Sequence, residues 1–250
     1  MFLYAVIAFV FGAVYGSFLN VLLWRLPQGQ GIGGRSHCRA CHRQLTWPDL
    51  VPILSFIWLK GRCRHCKDLI SNRYPLVEAT SGLVLAILVW VLPLSTAGVV
   101  LAVMTSLILT SLFFFDFFYF ILPDAIVYPG IVLFAIYDYL WRPDWLFFFS
   151  SALSLGAFFA IIYAVSKGKW LGLGDVKLAF LVGLILGWPL SFLATVLAIW
   201  VGALVGLAMM ASSRANLKKE LPLGSFWTAA ALVTLIFQHA FSQIFPLLFR

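Results

Sequence analysis

Charge is the scarcest property of this sequence. Only 10% of its 250 residues are Asp, Glu, Lys or Arg, against about a quarter in a soluble domain. With 63% hydrophobic residues and a mean hydropathy of +1.01, a water-facing surface cannot be built, and a soluble globular fold is excluded. No basic n-region precedes the first apolar stretch, Met1 to Trp24; the first basic residue, Arg25, follows it. That excludes a secretory signal and makes the stretch a retained span entering from outside. Solenoid repeats, disordered low-complexity tracts and a glycine-rich nucleotide fold are also lacking. The net charge of +8 does not point to nucleic acid, because the basic residues lie in short loops between apolar runs, where they set membrane topology.

What is present is a series of apolar runs bounded by Pro, Gly and charge. They predict eight spans, at about 1–24, 76–92, 97–116, 124–141, 146–165, 176–190, 191–211 and 225–245. The division at Trp188-Pro189-Leu190 leaves a single turn between two helices, since one kinked helix there would be too long for a bilayer. With the N-terminus outside, residues 25–75 carry nine Lys or Arg, 166–177 three and 212–220 three, so fifteen of seventeen face the cytoplasm. Only Arg142 and Arg250 fall outside, and Trp90, Trp141, Trp145 and Trp188 occupy the level of an outer aromatic belt. The expected architecture is an all-α polytopic membrane protein with about eight transmembrane helices: a first helix (1–24), a cytoplasmic zinc-ribbon-like insertion (25–75) and a transmembrane domain (76–250).

All four cysteines lie in the insertion, as Cys38-x-x-Cys41 and Cys63-x-x-Cys66 with 21 residues between the pairs. Two such knuckles set four thiolates around one tetrahedral zinc ion; on the reducing side of a membrane, disulfides are the weaker alternative. A four-thiolate site has no open position for substrate, so the expected role is structural, folding a loop with little core of its own. His37, His42 and His65 adjoin the cysteines as surface neighbours.

Acidic residues near spans are costly and therefore informative. Four of the nine stand at the cytoplasmic ends of predicted helices: Glu78, Asp116, Asp124 and Asp175. Asp116 interrupts Leu112-Phe113-Phe114-Phe115-Asp116-Phe117-Phe118, and Asp175 follows Gly172-Leu173-Gly174 at the start of a predicted helix of about 22 Å, short of the roughly 30 Å of hydrocarbon. A water-filled pocket accommodates both carboxylates. If they share a proton, one deprotonates water while the other polarises a carbonyl, which is aspartyl peptidase chemistry. Gly172 and Gly174 let backbone approach an extended substrate. The plainer alternatives are N-caps: Asp175 for its own helix, and Asp124, after Pro123, for the fourth, where capping is the favoured reading. Glu78 has two uses open to it, a structural pair with Arg73 or contact with a cationic substrate group; Lys177 faces away from Asp175, towards a lipid phosphate or Asp124.

With these residues assembled, the chain resembles the type IV prepilin peptidases. The resemblance rests on Gly16-Ser17-Phe18-Leu19-Asn20-Val21 leading to Arg25-Leu26-Pro27, the two CxxC pairs, Pro52-Ile53-Leu54-Ser55, Arg73-Tyr74-Pro75 with Glu78, Asp116 with Leu122-Pro123-Asp124, and Gly172-Leu173-Gly174-Asp175 with Lys177. It implies that Asp116 and Asp175 are the catalytic pair of a bacterial inner-membrane enzyme. By resemblance, that enzyme cuts prepilins or pseudopilins after a glycine at the cytoplasmic boundary and methylates the new amino terminus with S-adenosylmethionine. Glu78 or Asp124 then receives the leader's Lys or Arg, or the new amino group. Phe117, Phe118 and Tyr119 depart from the smaller or more polar residues of relatives, which bears on substrate fit. The rival class, a transporter or scaffold whose zinc ribbon binds a cytoplasmic partner, calls for carboxylates at mid-membrane depth, and these four cluster at one face.

Overall fold

The computed structural model describes residues 1–211 and 221–244. The basic residues of 212–220 and Arg250, used above in the charge count, lie outside the described residues. Helices dominate: α1 (Phe2–Arg25), α2 (Leu54–Trp58), α3 (Arg73–Val91), α4 (Thr96–Tyr119), α5 (Asp124–Trp141), α6 (Trp145–Ser166), α7 (Leu173–Leu186), α8 (Leu190–Ala211), α9 (Leu223–Ile236) and α10 (Gln238–Ile244). Among the described residues the only β pairing is two isolated bridges.

Each of the eight apolar runs has become helix, and the breakers fall where proline or left-handed backbone requires them. Pro123 precedes α5, Pro222 precedes α9, and Phe120 at φ 56° ends α4. Gly187, at φ 66°, turns the chain between α7 and α8, a backbone conformation that costs glycine little. Among the described residues six helices are long and apolar enough to cross a membrane, and α9 with α10 add a seventh if taken as one broken span, against the eight spans expected; α7 is too short to count. The protein is thus a multi-pass membrane protein. The expected continuous span over 225–245 is instead bent by 77° between α9 and α10, where the polar Gln238-His239 interrupts the apolar run. Helix α7, with 14 residues, spans about 21 Å at 1.5 Å per residue.

The chain divides into two compact units, Met1–Thr110 and Ser111–Arg250, with α4 running through the division. In the first unit α1 lies along α3 at very close approach. Gly12 and Gly16, one helical turn apart, supply the seam: a Cβ at Gly12 would stand 2.6 Å from the Ser81 carbonyl, and one at Gly16 2.7 Å from the Glu78 Cα. Without a hydrophobic driving force between helices in lipid, such backbone proximity is what brings dispersion and polar contacts into range. The Tyr15 hydroxyl donates to the Leu107 carbonyl at 3.0 Å, tying α1 to α4. Segment 26–72 between α1 and α3 carries the cysteines.

In the second unit α7 is the central element, packed against α5, α6, α8 and α9. From Leu178 to Leu186 its side chains are buried almost without a break, which explains an apolar composition without a polar face: protein surrounds it. Gly183 admits the backbone of α6 at Ala152, and Gly156 receives Phe180. At its C-terminus, Arg142 donates to the Leu184 carbonyl at 3.0 Å and the Ile185 carbonyl at 3.1 Å, while Asp138 holds the same guanidinium at 2.9 Å. A cation on the last carbonyls of a helix satisfies acceptors that have no intrahelical partner. The outward faces of α6 and α8 are apolar and exposed, with Leu153, Phe158, Ile161, Leu204 and Leu207 among them, as lipid contact requires.

The seam makes a direct prediction. Gly16→Ala places a methyl group against the α3 backbone, which cannot swing aside as a flexible side chain would. The expected result is a loss of about 1–3 kcal/mol, read as a lower midpoint of thermal unfolding in detergent. An unchanged midpoint would show that the helices separate at no cost.

Candidate active site and metal centre

The cysteine cluster is built from two matching turns. In the first, Cys38 N–H donates to the Arg43 carbonyl at 2.9 Å and His42 N–H to the Cys38 carbonyl at 3.0 Å; in the second, Cys63 N–H meets the Asp68 carbonyl at 2.8 Å and Lys67 N–H the Cys63 carbonyl at 3.1 Å. His42 and Lys67, each directly after the second cysteine of its pair, share a positive φ of 56° and 61°. Asp49 joins the turns to the rest of the loop: it accepts the Thr46 backbone N–H at 3.1 Å and hydroxyl at 2.7 Å, and it pairs with Arg64, inside the second CxxC, at 2.7 Å. Burial by itself would raise the Asp49 carboxyl, but the Thr46 and Arg64 donors bring it below the usual carboxylate range.

All four sulfurs lie within 4.8 Å of one another, Cys38 and Cys66 at 3.8 Å, and none forms a disulfide. Four sulfurs each ~2.3 Å from a common zinc ion stand about 3.8 Å apart in a tetrahedron, so the donor set fits that metal. The electrostatics agree. The N–H groups of Cys66 and His65 draw the Cys63 thiol down to about 7. Cys66 is pushed up to about 12: the Asp68 N–H lowers it, but lost hydration and the sulfurs of Cys63, Cys41 and Cys38 outweigh that donor. Four adjacent thiolates need a cation among them. His65 lies beside Arg43 at 3.2 Å, and the three histidines stand outside the four-sulfur group.

The candidate acid–base centre lies in the second unit. Asp116, on the last turns of α4, is buried at 7% exposure. One of its oxygens, Oδ2, accepts both the Ser225 backbone N–H at 2.5 Å and the Ser225 hydroxyl at 2.8 Å. Gly224 makes this possible, since a Cβ there would stand 3.0 Å from the Asp116 Cγ. Asp175, on the first turn of α7, is half-buried, and its Oδ2 accepts the Gly172 N–H at 3.1 Å. The two carboxylates interact electrostatically.

Two capping expectations need correction. The N-cap of α7 is Gly172, and Asp175 sits three residues later, its carboxylate reaching back to the Gly172 N–H. The N-cap of α5 is Pro123, with no side-chain cap, so Asp124 is the first helical residue. Its carboxylate instead meets the Lys177 ammonium at 2.6 Å. Lys177 also lies 4.8 Å from the Tyr128 ring. Gly174 packs on Leu122, where a Cβ would come within 3.3 Å of the Leu122 side chain. The LPD and GLGD segments are therefore fastened together by Gly174 on Leu122 and by Lys177 on Asp124.

Glu78 belongs to the first unit. It is buried at 7% exposure, accepts the Ile53 N–H at 2.7 Å and bonds to the Ser17 hydroxyl. Nearby, Asn20 donates to the Tyr74 carbonyl at 3.2 Å.

The sequence reading missed Ser225 and the Asp138–Arg142 pair. A signal for the first exists in Pro222-Leu223-Gly224-Ser225, a turn and a small polar residue opening an apolar helix. Its partner, however, is 109 residues away, beyond any local pattern. Asp138 and Arg142 are four apart on the α5 face, a spacing that predicts a pair but not its grip on α7.

Comparison with known proteins bears on both centres. Residues 10–92 match the Bacterial Peptidase A24 N-terminal domain, and residues 103–207 the Type IV leader peptidase family. A protein of Pseudomonas putida called prepilin leader peptidase/N-methyltransferase is 32% identical over 265 residues, covering 92% of this chain and 89% of the relative. Relatives with the same name from Myxococcus xanthus (33% identical; 87% of this chain, 67% of the relative) and Bacillus subtilis (30%; 92% and 93%) are similar too. No solved structure matches.

The sulfur geometry predicts that purified protein carries about one zinc per chain, and that Cys63→Ser lowers the metal content and the unfolding temperature together. Elemental analysis after exhaustive dialysis reads the first. Metal-free wild type with an unchanged unfolding temperature would contradict the assignment.

Proposed function

We propose, from the fact that this chain belongs to the type IV prepilin leader peptidase/N-methyltransferase family, that it is an aspartyl endopeptidase of the bacterial inner membrane. It cuts type IV prepilins or type II pseudopilins after the leader's glycine. The N-terminus is outside and the active site faces the cytoplasm, the orientation supported by the excess of Lys and Arg in residues 25–75 and 166–177. Residues 76–250 form the peptidase domain, and the 25–75 loop carries a structural zinc on Cys38, Cys41, Cys63 and Cys66.

The observation that carries the reading is the asymmetric support of two interacting aspartates. Asp116 has two donors from Ser225 aimed at one oxygen; Asp175 has one, from Gly172. Donors favour the ionised form, so Asp116 is the base and Asp175 the proton-bearing partner. Asp116 takes a proton from water, whose oxygen attacks the scissile carbonyl carbon, while Asp175 protonates the carbonyl oxygen. When the tetrahedral carbon collapses, one of its hydroxyls returns a proton to Asp175 as the C=O bond re-forms, the C–N bond breaks and the departing nitrogen receives the proton held by Asp116. Ser225 fixes the Asp116 carboxylate through this cycle and is a positioning residue. The Lys177–Asp124 pair holds the GLGD and LPD segments in register. Phe117, half exposed beside Asp116, lies where the apolar start of a substrate helix would pack.

Asp116→Asn and Asp175→Asn are each expected to abolish cleavage of a synthetic prepilin, read by mass spectrometry, without loss of membrane insertion. Near wild-type turnover by either variant would remove that residue from the mechanism. Ser225→Ala keeps the backbone donor and loses the hydroxyl, so kcat should fall about tenfold with KM little changed, the value of one hydrogen bond to a charged group. Asp124→Asn, which weakens a support, should retain part of the activity.

A further inference from the structure

Pro52-Ile53-Leu54-Ser55 is used by neither the aspartate pair nor the cysteine cluster, yet its backbone is unusual. Ile53, a β-branched residue, sits at φ 62° and ψ −51°, and the Leu54 N–H donates to the Pro52 carbonyl at 2.6 Å. That is a γ-turn of the rare, strained kind. The Ile53 N–H donates to Glu78, just over one turn into α3, at 2.7 Å. The turn delivers the chain into α2, whose two sides differ. Ser55 and Phe56 line a cavity of about 610 Å³ between α1, α3 and the cysteine loop. Leu54, Ile57 and Trp58, which share a face at spacings of three and four, point away from it at 48%, 60% and 68% exposure.

The same cavity sets the level of α2. Its α1 wall runs from Arg25 back to Val14, about 16 Å of helix at 1.5 Å per residue, so the loop folds back along the side of the α1–α3 pair. Leu76, in the α3 turn before Glu78, is 55% exposed, and α1 and α3 are each long and apolar enough to span. The outward face of α2 therefore stands at the depth where these two helices enter lipid.

We propose that α2 is an interfacial membrane anchor, with Leu54, Ile57 and Trp58 seated at the boundary of headgroups and acyl chains and the exposed Lys60 and Arg62 on anionic lipid phosphates. Tryptophan suits that boundary, since its ring is apolar while its N–H still reaches a polar partner. Charge names the lipid. Residues 25–75 carry nine Lys or Arg against two acids, Asp49 and Asp68, and Asp49 is already paired with Arg64, so the face is bordered by basic excess that anionic headgroups attract. Strained backbone persists only where its surroundings hold it. In water the turn at Ile53 would serve only to present apolar side chains to solvent, whereas at the bilayer surface their burial offsets its cost. Glu78 holds the turn from inside and lipid holds α2 from outside, so the bilayer itself fixes one wall of the cavity. The proposal needs only that α1 and α3 cross the membrane, and it stands whether or not the aspartates cut a prepilin.

The test is photochemical cross-linking of the full-length protein with p-benzoylphenylalanine in place of Ile57 or of Trp58. The protein is reconstituted in vesicles of phosphatidylethanolamine and phosphatidylglycerol, with synthetic prepilin added, and the adducts are identified by mass spectrometry. Both positions should give phospholipid adducts. Exchanging phosphatidylglycerol for phosphatidylcholine should lower their yield about fivefold, and Lys60→Gln combined with Arg62→Gln should abolish that dependence on lipid charge. In detergent, the double variant should unfold at the wild-type temperature. Quenching by lipids brominated near the headgroup, taken as the difference between wild type and Trp58→Phe, checks the depth without a cross-linker. No lipid adduct and no quenching, or adducts only to a second copy of this chain or to prepilin, would overturn the anchor. Equal yields in the two vesicle compositions would overturn the role of Lys60 and Arg62.

Discussion

A carboxylate at the end of a membrane helix has little water to lean on, and it stays only where the protein supplies its donors. This constraint organises the molecule. Asp116, Asp175 and Glu78 each take a backbone N–H, from Ser225, Gly172 and Ile53, and Asp138 takes a guanidinium. Backbone donors suit the task because a main-chain N–H in a loop or at a helix start has no intrahelical acceptor. Asp116 and Glu78 are thereby fixed to distant segments of chain, the α9 entrance and the Pro52-Ile53 stretch, while Asp175 closes its own GLGD turn.

Close approach of backbones is the complementary device. Gly12 and Gly16 bring α1 onto α3 beside Glu78, while Gly224 lets the start of α9 reach Asp116. In the second unit, Gly183 draws α6 onto the short central α7. Packing at that distance gives an apolar interior its order without needing water to drive it. The cysteine loop lies outside this arrangement and meets a different shortage. Among its residues before α3, only Gly61 and Cys63 are buried, a small core, and the loop instead gathers four sulfurs in a group able to hold a metal ion.

The two units differ in what lines them. The aspartates share one unit with an apolar run of phenylalanines. The cavity beside the cysteine loop, in the other unit, is lined by aromatic rings and by side chains of both signs of charge.

Much of this was determined by the sequence alone. Apolar runs located the long helices, although six of them, or seven with the bent α9–α10 pair, are long and apolar enough to span where eight spans were expected; proline and glycine placed many of their ends, the CxxC spacing defined the four-cysteine cluster, and Asp116 stood out because a carboxylate within a run of phenylalanines has no cheap explanation. All of these are local patterns with a local physical cause. Tertiary structure decided the partners. That Ser225 holds Asp116 across 109 positions, that Asp124 pairs with Lys177 rather than capping α5, and that Arg142 grips the end of α7 depend on which helices become neighbours. That choice is a sum of many weak packing contacts over whole helix faces, and no short stretch of residues contains it.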